Sequence, residues 1–118
     1  MTKILVVNPN TTVSMTEIIV TAARSVAVAG TEILAVTSAM GPASIEGFYD
    51  EAFAVPGLIQ AISNAPDADA AIIACFDDTG LDAARSAARY PVVGICEAAL
   101  VTAGQIAKRI GVVTTLPR

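Results

Sequence analysis

Five short apolar runs punctuate this chain, separated by longer stretches in which apolar residues recur every three or four positions. The runs are Lys3–Val7, Thr31–Thr37, Ala70–Cys75, Val92–Ile95 and Ile110–Thr115. Their β-branched content and length predict strands. After the first, Met15, Ile18, Ile19, Ala22, Ala23 and Val26 fall at i, i+3, i+4, i+7, i+8 and i+11, the stripe of an amphipathic helix. That helix is predicted over Thr11–Ala29. It is capped by Thr11, by Thr12 or by a Ser14–Glu17 capping box, and stopped by Gly30. The stretch "EAFAVPGLIQAIS" predicts a helix interrupted or restarted at Pro56, because proline suits a first turn but not an interior. Further helices are predicted over Gly80–Ala88 and Glu97–Arg109. Strand alternating with helix implies right-handed crossovers and an α/β, doubly wound parallel sheet. Ligands in such sheets bind beyond the carboxyl ends of the strands. Asn8, Cys75, Cys96 and Thr115 each end a predicted strand, so all four are expected along that edge.

At 118 residues the chain fills one compact domain but not two. Hydrophobic residues make up 54% and charged ones 15%. That is apolar for so small a domain, as expected for strands buried on both faces or a surface meant to be covered. The charge is −4, with the seven basic residues scattered rather than clustered. Nucleic acid and anionic membrane are poor partners for such a surface. No apolar stretch reaches the roughly 20 residues of a membrane helix, and "NPN" breaks the first run before it could serve as a signal peptide. The reading is cytoplasmic, where the two cysteines are free thiols rather than a disulfide. The chain has no histidine, which removes Ser-His and Cys-His nucleophile pairs and histidine-held metals.

Cys75 is the main candidate. A thiol at a strand tip, followed by a helix that starts at Gly80, can open to the cleft, where the helix dipole favours the thiolate. Asp77 and Asp78 oppose that unless they turn away to cap that same helix, and a buried cysteine packing as a small hydrophobe is the alternative. Cys96 has Glu97 behind it and no positive partner, which weakens its case. Twenty residues separate the two cysteines, so they form neither a CxxC redox pair nor a zinc pattern. "NPNTT" offers amide and hydroxyl groups beside a helix N-terminus, suited to a carboxylate or imide oxygen, or simply a turn and cap. No glycine fingerprint or phosphate loop follows the first strand. "SIEGFYDE", with its acids and the aromatics Phe48 and Tyr49, is a lid or specificity loop on the ligand edge, or a solvated turn.

"NPNTT", "ACFDDTGLDAAR", "PVVGICEAA" and "IGVVTT", in this order along the whole chain, resemble the aspartate/glutamate racemase superfamily and in particular its hydantoin racemase branch. Allantoin racemases are similar; arylmalonate decarboxylases and maleate isomerases are more distant relatives. The resemblance implies a flavodoxin-like lobe of the racemase fold and a second, similar lobe, with the active site between them. It also implies cofactor-independent proton transfer at the substrate's α-carbon by one cysteine from each lobe, the adjacent carbonyl holding the carbanion as an enolate. Carried onto this chain, Cys75 is the first-lobe catalytic cysteine. Asn8 and Pro9 take the pocket position after the first strand, and Phe76 offers a backbone N–H to substrate oxygen. Ile45 shapes the side-chain pocket, and Thr115 follows the strand that opens the second lobe. Cys96 matches no catalytic position.

Residues 1–108 are accordingly expected to form the first lobe and residues 109–118 the first strand of a truncated second one. The chain is expected to be a racemase of 5-substituted hydantoins, nearly inactive on its own with only one of the two thiols. Its partner is a small cyclic ureide, with no cofactor and no metal, and a homo-oligomer is expected. Allantoin racemisation, decarboxylase or maleate isomerase-like chemistry, and a non-catalytic small-molecule-binding α/β domain are the alternatives.

Overall fold

The computed structural model describes residues 1–116. Its elements are β1 (Thr2–Asn8), α1 (Val13–Val26), β2 (Thr31–Thr37), α2 (Phe48–Ser63), β3 (Ala70–Ile73), α3 (Leu81–Ala87), β4 (Val92–Gly94) and α4 (Ile95–Ile106). The strands form one parallel sheet in the order β2-β1-β3-β4. The doubly wound α/β architecture predicted from the alternation is therefore the one observed, with the flavodoxin-like reversal of direction between β2 and β3.

β1 is an inner strand, flanked by β2 and β3, and successive side chains on it point to opposite faces. Leu5 and Val7 join Ala71, Ile73 and Val92 in a buried cluster with Leu58, Ala61 and Ile62 of α2 and Leu81 and Ala84 of α3. Val6 is equally buried but lies outside that cluster, on the face against which α1 packs. Right-handed crossovers require this division, with α1 on one side and α2 and α3 on the other.

Several local expectations are corrected. In α1 the side chains turned inward are Thr16, Ile19, Val20 and Ala23, whereas Met15, Ile18, Ala22 and Val26 are exposed. The buried stripe is thus rotated away from four of the six predicted positions. A polar anchor sets the rotation: the Thr16 hydroxyl bonds that of Thr37 at 2.6 Å and accepts from the Asn8 amide at 3.0 Å. The helix also ends at Val26, before Gly30, because Ala27 is already extended (φ −67°, ψ 133°). α2 runs unbroken through Pro56. The proline is on the exposed face, where water can satisfy the carbonyl that loses its partner. α2 also begins at Phe48, so half of "SIEGFYDE" is helix rather than loop.

The fifth predicted strand does not form. Residues 110–115 pair with no strand among the described residues, and Val113 is 98% exposed. A β-branched run needs a neighbouring ladder to become a strand, and the sheet edge at β4 is not extended by it. Residues 117 and 118 of the second-lobe expectation lie outside the described residues. α4 has no buried residue at all. Among the described residues no helix is long and apolar enough to cross a membrane.

Candidate active site

β1 and β3 end side by side, and the segments beyond them carry the polar groups. Past β1 the chain knots itself. Asn8 is only 1% exposed, and its side-chain amide donates to Asn10 Oδ1 at 2.8 Å and to Thr16 Oγ1, while its Oδ1 accepts the Asn10 backbone N–H at 3.2 Å. Asn10 in turn accepts from the Thr12 N–H at 2.9 Å. Pro9 is fully buried beside it. Neither Asn8 nor Pro9 lines the groove described below. They hold the β1–α1 turn against the 38–43 segment, which Thr11 N–H and Thr12 Oγ1 also bond through the Pro42 and Ala43 carbonyls.

The segment after β3 carries the thiol. Ala74 N–H still reaches the Val7 carbonyl at 2.9 Å, and the chain then turns with Asp78 N–H on the Cys75 carbonyl at 3.0 Å. Asp78 adopts φ 53°, a left-handed conformation that aspartate tolerates better than most residues. This aims its carboxylate at the start of α4, where it accepts the Cys96 and Glu97 backbone N–H groups, each at 2.8 Å. Two of the donors that every helix start leaves unpaired are thereby satisfied. Gly94 is required for this, because a Cβ there would overlap the Asp78 carboxylate. The thiol-bearing turn is thus fastened to β4 and α4.

A groove of about 710 Å³ opens beside this turn. Cys75, Phe76 and Asp77 form one wall, Ile45 to Glu51 a second, and Thr114 to Leu116 a third. Four residues singled out from the sequence, Cys75, Phe76, Ile45 and Thr115, therefore meet at one place, although Thr115 arrives there without a strand. Phe76 is 48% exposed and Phe48 91%, giving the groove apolar walls. Its charged lining, Glu46, Asp50, Glu51 and Asp77, is entirely acidic among the described residues.

Cys75 is half-buried and unpaired with Cys96. Its thiol donates to Asp77 Oδ1 at 3.0 Å, and that oxygen also accepts the Thr79 N–H at 3.0 Å and the Thr79 hydroxyl. Burial is the largest influence and pushes the Cys75 thiol above its ordinary value of 9.0; the Thr79 hydroxyl and the Asp77 backbone N–H work against this, and the Asp77 carboxylate works with it. The lowering expected from the helix dipole is therefore outweighed by burial. Cys96 does not line the groove. It sits in the first turn of α4, and its thiol is likewise raised, by desolvation and then by Asp78 and Asp77. Glu97, expected to be the cause, is instead engaged by Arg85 at 2.9 Å.

Asp77, Asp78 and Thr79 are the groups whose roles sequence reading missed. The spacing Asp77-x-Thr79 is an Asx-turn signal. The glycine of "VVGIC" also marks a close backbone approach, although it does not say to what. Among the described residues no cluster of three metal-ligating side chains occurs.

The fold and site together define a parallel α/β unit that presents a thiol at the carboxyl edge of its sheet. The chain belongs to the Asp/Glu/Hydantoin racemase family, whose model matches residues 4–118. It is 50% identical to the hydantoin racemase of Pseudomonas sp. (strain NS671), covering 98% of this chain and 47% of that protein. It is 49% identical to that of Rhizobium meliloti, covering 95% and 47%. Among solved structures it superposes on allantoin racemase from Klebsiella pneumoniae with a TM-score of 0.97 at 50% identity, covering 100% of this chain and 49% of that one. For allantoin racemase from Pseudomonas fluorescens the values are 0.94 and 39%, over 98% and 50%. The chain spans about half the length of the relatives it matches.

Proposed function

We propose that this chain forms one wall of a cofactor-independent racemase active site for 5-substituted hydantoins, allantoin among them, with Cys75 as the acid/base of that wall. The carrying observation is the convergence on one groove of Cys75, Phe76, Ile45 and Thr115, residues brought together from positions up to 70 apart in sequence (115 − 45). A hydantoin's ring carbon bears an acidified hydrogen next to a carbonyl. The Cys75 sulfur takes that hydrogen as a proton, the C–H electron pair moves into the carbonyl as an enolate, and a proton returned to the other face inverts the centre. The Phe76 backbone N–H and the Thr115 hydroxyl are the donors proposed for the enolate oxygen. The acidic lining suits a neutral ring that donates N–H groups better than a free carboxylate.

Two-face proton transfer needs a second acid/base opposite Cys75. Among the described residues no second thiol lines the groove. The 118-residue chain is therefore expected to racemise an enantiopure 5-substituted hydantoin no faster than its Cys75→Ala variant, followed by polarimetry and by deuterium uptake at the ring carbon. A rate matching that of a full-length hydantoin racemase would refute the two-thiol scheme. Binding tests the reading directly. A 5-substituted hydantoin should slow iodoacetamide labelling of Cys75 while leaving Cys96 unaffected, read by peptide mass spectrometry. Equal labelling of Cys75 with and without it removes the proposal in favour of an inert α/β domain. A homo-oligomer belongs to the same reading, supported by the apolar exposure of Val101, Ile106, Val112 and Val113. Sedimentation velocity showing a monomer at every concentration would withdraw it.

A further inference from the structure

Cys75 lies between two neighbours that favour opposite forms of its sulfur. The thiol donates to Asp77 Oδ1, an acceptor-only group when ionised. Thr79 is fully buried, so water cannot serve its hydroxyl. That hydroxyl donates to Asp77 Oδ1, the same oxygen that accepts the Cys75 thiol, so the hydroxyl and the sulfur flank one acceptor. The hydroxyl has one hydrogen and can serve either that oxygen or the sulfur, only one at a time. Asp77 itself is held in place by the Thr79 backbone N–H, independently of what the hydroxyl does.

We propose that Asp77 and Thr79 are a positioning pair for Cys75, in which Asp77 holds the protonated sulfur and the Thr79 hydroxyl swings from Asp77 to the sulfur when the proton leaves. The surroundings leave few other candidates. Glu46, Asp50 and Glu51 face the groove from the segment that opens α2 and are all acidic, the 114–116 strip brings no charge, and Asp78 is spent on the N–H groups of α4. No cation lines the groove among the described residues, so a thiolate there depends on a local donor. The directions agree: the Thr79 hydroxyl lowers the thiol and the Asp77 carboxylate raises it, while the Asp77 backbone N–H adds to the lowering.

Its catalytic meaning rests on the racemase reading. When the sulfur takes the ring hydrogen, the C–H bond breaks, an S–H bond forms and the electron pair stays on the substrate as the enolate. The new S–H then finds Asp77 as its acceptor, and the Thr79 hydroxyl turns back to Asp77. No proton is gained or lost by the pair, so one sulfur can serve as acid in one direction and base in the other.

The test is the pH dependence of iodoacetamide labelling at Cys75, resolved from Cys96 by peptide mass spectrometry, with circular dichroism confirming each fold. Asp77→Asn keeps an acceptor for the Thr79 N–H but removes the charge, and should shift the labelling midpoint to lower pH. Thr79→Val is nearly isosteric but lacks the donor, and should shift it to higher pH, with Thr79→Ser restoring the original midpoint. At a fixed pH below the midpoint the two rates should diverge several-fold in opposite directions. Shifts of the same sign, or none, overturn the pair. If Asp77→Asn does not fold, the comparison of valine with serine at position 79 decides alone: a rise reversed by serine upholds the role of Thr79, and equal midpoints overturn it. The readout needs no hydantoin. Opposed shifts in a chain that a hydantoin fails to protect keep the pair and remove the racemase reading; unshifted midpoints in a protected chain do the reverse.

Discussion

Asp78 and Gly94 are 16 residues apart in sequence (94 − 78) and occupy what is nearly a single space. Asp78 accepts the two N–H groups at the start of α4, so Asp78→Ala should lower stability by about 0.5–2 kcal/mol, the usual loss of a helix cap. For a domain of this size that corresponds to a fall of several degrees in Tm. Gly94 has φ −93° and ψ 137°, which any residue can adopt. The cost of Gly94→Ala is therefore steric, through displacement of the same carboxylate. Once Asp78 is alanine the obstacle is gone, so the double variant should lose clearly less than the sum of the singles. Additive losses, measured by thermal circular dichroism, would show that the two positions do not share one interaction. "CFDD" identified the acids and their capping tendency in sequence. The helix expected to be capped was the one that follows them; Asp78 caps α4 instead, which sequence could not show because the α4 start is reached only through β4 and its pairing with β3.

α2 puts opposite rules on adjacent residues. Pro56 is exposed in the helix interior, where proline is the least favourable residue and alanine the most favourable. Pro56→Ala should raise Tm, although the extra freedom it gives the unfolded chain reduces the gain. Gly57 is buried, and a Cβ there would run into the Ser38 side chain and come within 2.8 Å of the Met40 carbonyl oxygen. Gly57→Ala should lower Tm despite its better helix propensity. Propensity alone predicts that both substitutions stabilise, so a rise in both would mean that the 38–40 turn yields to a methyl group. The periodicity of α1 shows the same division. It identified a helix but chose the wrong stripe, because two hydroxyls and an amide at Thr16, Thr37 and Asn8 anchor the polar side inward.

For the molecule as a whole, pH acts on groups whose proton affinity differs between folded and unfolded chain. Cys75, Cys96 and Tyr90 are all raised from ordinary values of 9.0, 9.0 and 10.0, with burial the largest cause in each. The folded chain therefore holds these protons more tightly than the unfolded one. Their contribution is complete below about pH 9 and is lost as pH rises through the raised folded values. Tm should fall on the alkaline side, and Cys75→Ala should flatten the fall; an unchanged slope would show that Cys75 titrates alike in both states. Glu97 goes the other way. Arg85 lowers it from 4.5, so its contribution is present above that value and lost as pH falls, but the pair is exposed and contributes little.

By itself the order of residues determined four strands, the helices between them and a thiol at the tip of the third strand. These follow from apolar periodicity and turn chemistry, which act over a few positions. Strand ends and topology put Cys75, Thr115 and the loop that carries Ile45 on one edge; that these residues and Phe76 belong to one pocket was legible only through family resemblance, since nothing local links the segments that carry them. Tertiary structure alone decided that Asn8 and Pro9 face inward rather than toward the groove, because the amide's hydrogen bonds to Asn10 and Thr16 leave it nothing to offer a ligand. It also decided that Ile110–Thr115 stays unpaired. A β-branched run has strand propensity wherever it occurs, but its hydrogen bonds need a neighbour that only the packed chain can place beside it.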